Sequence, residues 1–171
     1  MSDAPPPNSD APPAVALGLR FVREVLGGAN PAAFDELVDP DVWVSSGINA
    51  AGPIRGREAY RASFLALASA LSDFALVVED VMPAADGERV AVRWRGVATH
   101  SGPYLGVPAT GRRFVVVETH TMRWRGGRLV ENHVGANNPP TLEVLFAPAL
   151  ADVVLARRLS DAEAGPESPG R

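Results

Sequence analysis

The sequence contains neither cysteine nor lysine. Without cysteine there is no disulfide, no thiolate nucleophile and no zinc–thiolate centre. Without lysine no side-chain amine can form a Schiff base with a carbonyl substrate; all 16 basic residues are arginine. Positive charge is outnumbered by 20 acidic residues, for a net charge of −4. That balance argues against a broad nucleic-acid surface. No stretch approaches the roughly 18 consecutive apolar residues of a membrane span. The opening segment MSDAPPPNSDAPP lacks the basic start and apolar centre of a secretory signal, so a cytoplasmic protein is expected. Dinucleotide and phosphate-loop glycine patterns are missing, as is the G-x-S-x-G elbow of serine hydrolases. No nucleotide cofactor is therefore expected.

What is present fits one ordinary domain: 171 residues, 46% hydrophobic and 21% charged. Richness in Ala, Arg, Gly and Pro without lysine points to a high-GC bacterial genome. Residues 1–13 are Pro, Ser and Asp rich and read as a disordered tail. A domain is expected over 14–145. The extension 146–171 reads as partly helical and then disordered, with a helix or packing arm over 141–159.

Within the domain, helices come first. Leu17, Phe21, Val22 and Val25 recur at helical spacing up to Gly27-Gly28. Asn30 can cap a helix opened by Pro31. The stretch DPDVWVSSGINAAGPIRG reads as irregular. A third helix is expected from about Arg57 to Leu71, with Tyr60, Phe64, Leu67 and Leu71 on one face. After Ser72 the period becomes two, giving strands over 74–82, 89–100, 113–125 and 128–137. Asp86-Gly87 and Gly126-Gly127 mark turns. Helices followed by an antiparallel sheet make an α+β fold.

The Gly126-Gly127 turn sets a register. A regular hairpin pairs Trp124 with Leu129, Met122 with Glu131, His120 with His133, Glu118 with Gly135 and Val116 with Asn137. One face then carries Glu118, His120, Met122, Trp124, His133 and Asn137. The preceding strand sends Val90, Val92, Trp94, Ala98 and His100 the same way. All three histidines of the chain thus gather on the face turned to the helices. Polar groups on an apolar face need partners or a wet cavity, which is the reason to expect a pocket. His100 lies six residues from Trp94, the expected neighbour of His120. That is roughly 20 Å of strand, so no three-histidine metal site is expected.

Three segments resemble the SnoaL-like polyketide cyclases of the nuclear transport factor 2-like superfamily. They are Ser72-Asp73-Phe74, RVAVRWRGVATHSGPYLGVPATGRR and MRWRGGRLVENH; the helical half, with Asp41 and Gly56, fits more loosely. The resemblance spans roughly residues 15–145. It implies a cone-shaped α+β barrel, in which a curved, mainly antiparallel sheet wraps the N-terminal helices and leaves a cavity at its open end, often in a homodimer. It also implies that a histidine at the place of His100 and an aspartate on the last strand close a polyketide ester by an aldol reaction. That aspartate position falls on Asn137, a family tryptophan falls on His133, and a family histidine falls near Ser45.

Asparagine does not exchange protons as a carboxylate does. The acid–base role can pass to Glu118, with His100 and His133 as alternative bases and Asn137 as a hydrogen-bond donor to substrate oxygen. Trp43, Ser45, Tyr60, Phe64, Trp94, His120 and Met122 are expected around the ligand. Tyr104 and Leu105, in the loop Gly102–Pro108, are expected at its mouth. The expected activity is cofactor-independent cyclisation, hydration, isomerisation or ring opening of a hydrophobic polyketide-derived molecule in bacterial secondary metabolism. A non-catalytic binding or accessory protein, or a cofactor-free hydroxylase, is the alternative.

Overall fold

The computed structural model describes residues 12–46 and 52–135. Asn137, the expected arm over 141–159, most of the N-terminal tail and the whole C-terminal extension lie outside these residues.

Among the described residues, three helical segments and six strands follow in order. Helix α1 runs over Pro13–Arg20 and continues as a π-helical segment, Phe21–Leu26. Pro13, read as tail, is instead helical; the first turn has no use for its missing N–H. In the π segment Gly27 N–H reaches back five residues to the Val22 carbonyl at 2.9 Å. Phe21, Val22 and Val25 are fully buried there. Helix α2, Pro31–Leu37, starts as expected, with the Asn30 side chain accepting from the Ala32 and Ala33 amides. Helix α3 covers Arg57–Ser69. Leu71, expected as its last residue, instead opens strand β3, because Ala70 already ends the helix.

The strands are β1 (Val38–Ser46), β2 (Ile54–Arg55), β3 (Leu71–Pro83), β4 (Arg89–His100), β5 (Arg113–Arg125) and β6 (Arg128–Gly135). They form one curved, open sheet in the order β2-β1-β6-β5-β4-β3, antiparallel except for the β1–β6 pair. This is the expected α+β architecture, with the helices on the concave face. None of the described helices is long and apolar enough to cross a membrane.

Two departures from the expected pattern move residues between faces. The first is β1, which lies where an irregular stretch was expected. Its Asp-Pro-Asp start obscures the alternation: Asp39 caps the Asp41 amide at 2.9 Å, and the pairing with β6 slips between Val38 and Trp43. Beyond the slip Val42 and Val44 are buried inward, so Trp43 and Ser45 face outward.

The second is a bulge in the β5–β6 hairpin. The turn itself is as expected, with Gly126 and Gly127 at φ 54° and 77°, and Trp124 pairs with Leu129. One extra residue then enters β6. Arg123 pairs with Glu131, Met122 with Asn132, Thr121 with His133 and His120 with Val134. The shift of one residue exchanges the faces of the rest of β6. Asn132 turns inward and is fully buried, while His133 turns outward. The bulge also improves the apolar sorting. It sends Val134 inward and Glu131 outward, the reverse of a regular hairpin.

Candidate functional site

A cavity of about 780 Å³ lies between the sheet and the helices, within the range of small-molecule sites. Helix α3 contributes Tyr60, Phe64 and Leu67 at helical spacing, so the apolar face read from the sequence lines a hollow instead of a solid core. Phe74 of β3 and Trp94 of β4 form one wall, meeting edge to face with ring centres 6.0 Å apart. His100, Glu118, His120 and Val134 complete the sheet side.

Glu118 and His120 are two residues apart on β5 and therefore share a face. His120 Nε2 lies 3.3 Å from the Glu118 carboxylate. Their side chains are 4% and 14% exposed, in that order, so the pair is largely withdrawn from water while Glu118 still reaches the cavity. Trp94 and Phe21 flank the imidazole at ring-centre distances of 6.0 and 6.4 Å. Among the described residues the ionic partner of Glu118 is this histidine.

Behind the pair, Asn132 donates from Nδ2 to His120 Nδ1 and to the Tyr60 hydroxyl, both at 3.1 Å. An acceptor Nδ1 places the proton of the neutral ring on Nε2, facing Glu118. Burial raises the pKa of Tyr60 well above that of a free phenol; the Asn132 hydrogen bond opposes this in part, and the charge of Glu118 adds the smallest push upward. Tyr104 is raised for the same two reasons, burial first. Both phenols therefore keep their protons at neutral pH and are hydrogen-bond donors near the carboxylate.

His100 sits elsewhere on the wall. Glu118 pairs across to Trp94, and His100 is six residues further along β4, roughly 20 Å of strand. Its neighbour on β5 is the Phe114 end of the cavity, not Glu118. The neighbour of His120 on β4 is Val92, and not Trp94 as expected. The Thr110 amide donates to His100 Nδ1 at 3.3 Å, and Thr110 Oγ1 lies 3.0 Å away. The backbone of His100 is held by Arg112 O and Gly111 N, both at 2.9 Å. The Ala-Thr-Gly segment thus fixes the ring with its Nε2 protonated.

The mouth carries a tight turn, Tyr104-Leu105-Gly106-Val107. Tyr104 and Val107 exchange backbone hydrogen bonds at 2.9 Å, with φ of 49° at Leu105 and 81° at Gly106. Leu105 is 60% exposed at the rim.

Of the residues expected at the site, His100, Glu118, Tyr60, Phe64, Trp94, Tyr104, Leu105 and His120 line this cavity. Four do not. Met122 is fully buried in the core, within reach of Gly18 on α1. Trp43, Ser45 and His133 lie together on the outer face: Trp43 and His133 rings are 4.9 Å apart, and Ser45 Oγ is 3.1 Å from His133 Nδ1. The slip in β1 and the bulge in β6 put them there. Asn132 is the residue that sequence reasoning missed. Its signal was the poor apolar sorting of a regular hairpin, which leaves Val130 and Val134 outward and Glu131 inward. Among the described residues no three His, Asp or Glu side chains are grouped to hold a metal ion.

A curved open sheet closing a cavity against helices defines the nuclear transport factor 2-like class of α+β proteins. Within that class, residues 16–143 match the profile of the SnoaL-like polyketide cyclases, and the chain belongs to that family. Among solved structures it is similar to a candidate SnoaL-like polyketide cyclase from Jannaschia sp. CCS1, with 22% identity, a TM-score of 0.69, and 83% of this chain and 96% of that one covered. TsrD from Streptomyces laurentii is 22% identical with a TM-score of 0.65, over 81% of this chain and 97% of that one. AclR from Streptomyces galilaeus, a candidate hydroxylase, is 26% identical with a TM-score of 0.62, over 74% and 80% of the two chains. No curated protein matches the sequence.

Proposed function

We propose that the protein is a cofactor-independent acid–base enzyme that cyclises or rearranges a hydrophobic, polyketide-derived molecule, with Glu118 as the proton-transfer group. The observation that carries this reading is a carboxylate set in the wall of a largely apolar cavity and backed by a histidine. In the proposed reaction Glu118 removes a proton from a carbon next to a carbonyl. The electron pair becomes an enolate, whose oxygen Tyr60 and Tyr104 stabilise by hydrogen bonds. The enolate carbon bonds to a second carbonyl carbon, and the resulting alkoxide recovers the proton from Glu118. Atoms and electrons balance with no oxidant or metal. His100, at the other end of the cavity, holds a polar group of the ligand through its Nε2–H. The family's last-strand carboxylate falls on Asn137 by sequence, and Glu118 supplies the missing carboxylate from β5.

The test separates enolisation from whichever ring closure follows. Methyl naphthoylacetate, an aromatic β-keto ester, is incubated with protein in deuterium oxide, and loss of its methylene proton signal is followed by NMR. The protein is expected to accelerate exchange above the buffer rate, and Glu118→Gln to lower that turnover by about a hundredfold to ten-thousandfold. Equal exchange by the two proteins refutes the assignment of Glu118. Tight binding without any exchange favours the second reading, a ligand-binding or accessory protein, which the asparagine at 137 supports. The hydroxylase named among the similar structures supports a third, cofactor-free oxygenation, for which oxygen-dependent product is the criterion.

A further inference from the structure

Asn132 is fully buried, carries no charge and lies behind the pair of residues given the chemistry above. Its amide touches two groups that hold protons in the site, Tyr60 on α3 and His120 on β5. A neutral amide presents two donors at one end and an acceptor at the other. Which end meets the histidine decides which ring nitrogen carries its proton.

The two orientations of the amide have different consequences. With Nδ2 toward His120 and Tyr60, Nδ1 is an acceptor, Nε2–H donates to the Glu118 carboxylate, and the Tyr60 oxygen accepts. The phenol's own hydrogen is then turned away from Asn132. With the amide reversed, Oδ1 accepts from Tyr60 O–H and from Nδ1–H. The Nε2 lone pair then faces the ionised carboxylate at 3.3 Å, acceptor against acceptor. For a neutral His120 ring, the carboxylate of Glu118 therefore selects the first orientation. It does so even though Oδ1 is left without a hydrogen-bond partner among the described residues. An unmade bond in a buried amide is costly, and the arrangement retains it.

We propose that Asn132 is a positioning residue that sets two protons at once: it holds His120 as an Nε2–H donor to Glu118, and it keeps the Tyr60 hydroxyl hydrogen available to the ligand. This deepens the reading above and rests on it for its kinetic consequence. Because Nε2 is already protonated, a proton taken up by Glu118 cannot pass on to His120 through their shared contact. Glu118 is then the end point of proton transfer and returns the same proton to the product.

The experiment combines NMR of protein labelled with nitrogen-15 at histidine and the exchange assay with methyl naphthoylacetate, on the full chain. In the unaltered protein His120 is expected to show a protonated Nε2 and an unprotonated Nδ1. Asn132→Asp is nearly isosteric but only accepts, so Nδ1 of His120 is expected to gain a proton while Nε2, facing Glu118, keeps its own. Asn132→Leu removes both hydrogen bonds, and a mixture of the two tautomers is expected. Exchange turnover is expected to fall about 10- to 100-fold in each, as for groups that orient metal-bound histidines, with KM little changed. Circular dichroism checks folding; if Asn132→Leu does not fold, Asn132→Asp still decides. An Nδ1–H in the unaltered protein, alone or together with Nε2–H, or Asn132→Asp with the protonation of the ring and the rate both unchanged, overturns the proposal. Should the unaltered protein catalyse no exchange, the acid–base reading fails, while the tautomer measurement still tests the placement of the protons.

Discussion

The two tyrosines of the chain, Tyr60 and Tyr104, both stand close enough to Glu118 to feel its charge, and both are withdrawn from water. Burial and that charge act in the same direction, against ionisation. A spectrophotometric titration therefore has a simple expected result: no tyrosine ionises with the midpoint near 10 of a free phenol, whereas both do so in the unfolded chain. The linkage has a definite sign. A folded-state pKa above the unfolded one contributes stability below the unfolded value, and that stability is lost as pH climbs above it. Ionisation of either tyrosine at the free value in the folded protein contradicts the placement of that ring. Ser45 and His133 make the complementary case. They form a hydrogen-bonded pair on the outer face, so Ser45→Ala and His133→Ala are expected to leave exchange of the β-keto ester unchanged. A large loss in either would place the chemistry on the wrong side of the sheet. Gly96 supplies a residue-scale control on shape. A methyl group there would come within 2.7 Å of Phe74 and 2.9 Å of Trp94. Gly96→Ala is expected to push the Phe74 ring into the cavity and to weaken binding of the naphthyl ligand in a fluorescence titration.

Among the elements, helix α1 reaches β4 and β5 through a missing side chain. A Cβ on Gly18 would lie 2.7 Å from Val90 Cγ1, 3.2 Å from Met122 Cε and 3.3 Å from Val92 Cγ2. Val90 and Met122 are fully buried and have no space into which to turn. Overpacking of about 1–3 kcal/mol then outweighs the roughly 1 kcal/mol that alanine gains over glycine in a helix. Gly18→Ala is expected to lower the melting temperature by several degrees, at roughly 2–4 °C per kcal/mol for a chain of this size; a rise would show that the helix does not sit so close.

The same elements show how far the sequence could be read. Asn30-Pro31, Gly27-Gly28 and Gly126-Gly127 carry their own turn and cap chemistry, and each lies where expected. The inward set of β4, from Val90 to His100, follows from strict alternation alone. What failed depended on a count of residues between strands. A single bulge in β6 exchanged His133 for Asn132, and an Asp-Pro-Asp start hid β1, sending Trp43 and Ser45 outward. Periodicity gives a face only while the count is unbroken, and a bulge is set by the packing of the whole sheet. Glu118 and His120 were legible because the extra residue enters β6, so the alternation along β5 is unbroken.

At the scale of the whole molecule, one face of one sheet performs two tasks. Towards α1 and the π-helical segment it is a dry core of Val, Phe, Met and Trp. Towards α3 and the Tyr104 turn it leaves about 780 Å³ open, with a carboxylate–histidine pair at one end and His100 at the other. The proposed reaction requires a ligand lying along this hollow with its acidic carbon at Glu118. A crystal structure of Glu118→Gln with methyl naphthoylacetate checks this arrangement. The ester is expected inside the cavity, its methylene carbon about 3–3.5 Å from the residue-118 side chain and its naphthyl group against Phe74 and Trp94. Ligand bound on the outer face beside Trp43 and His133, or inside with its methylene at the His100 end, would contradict it.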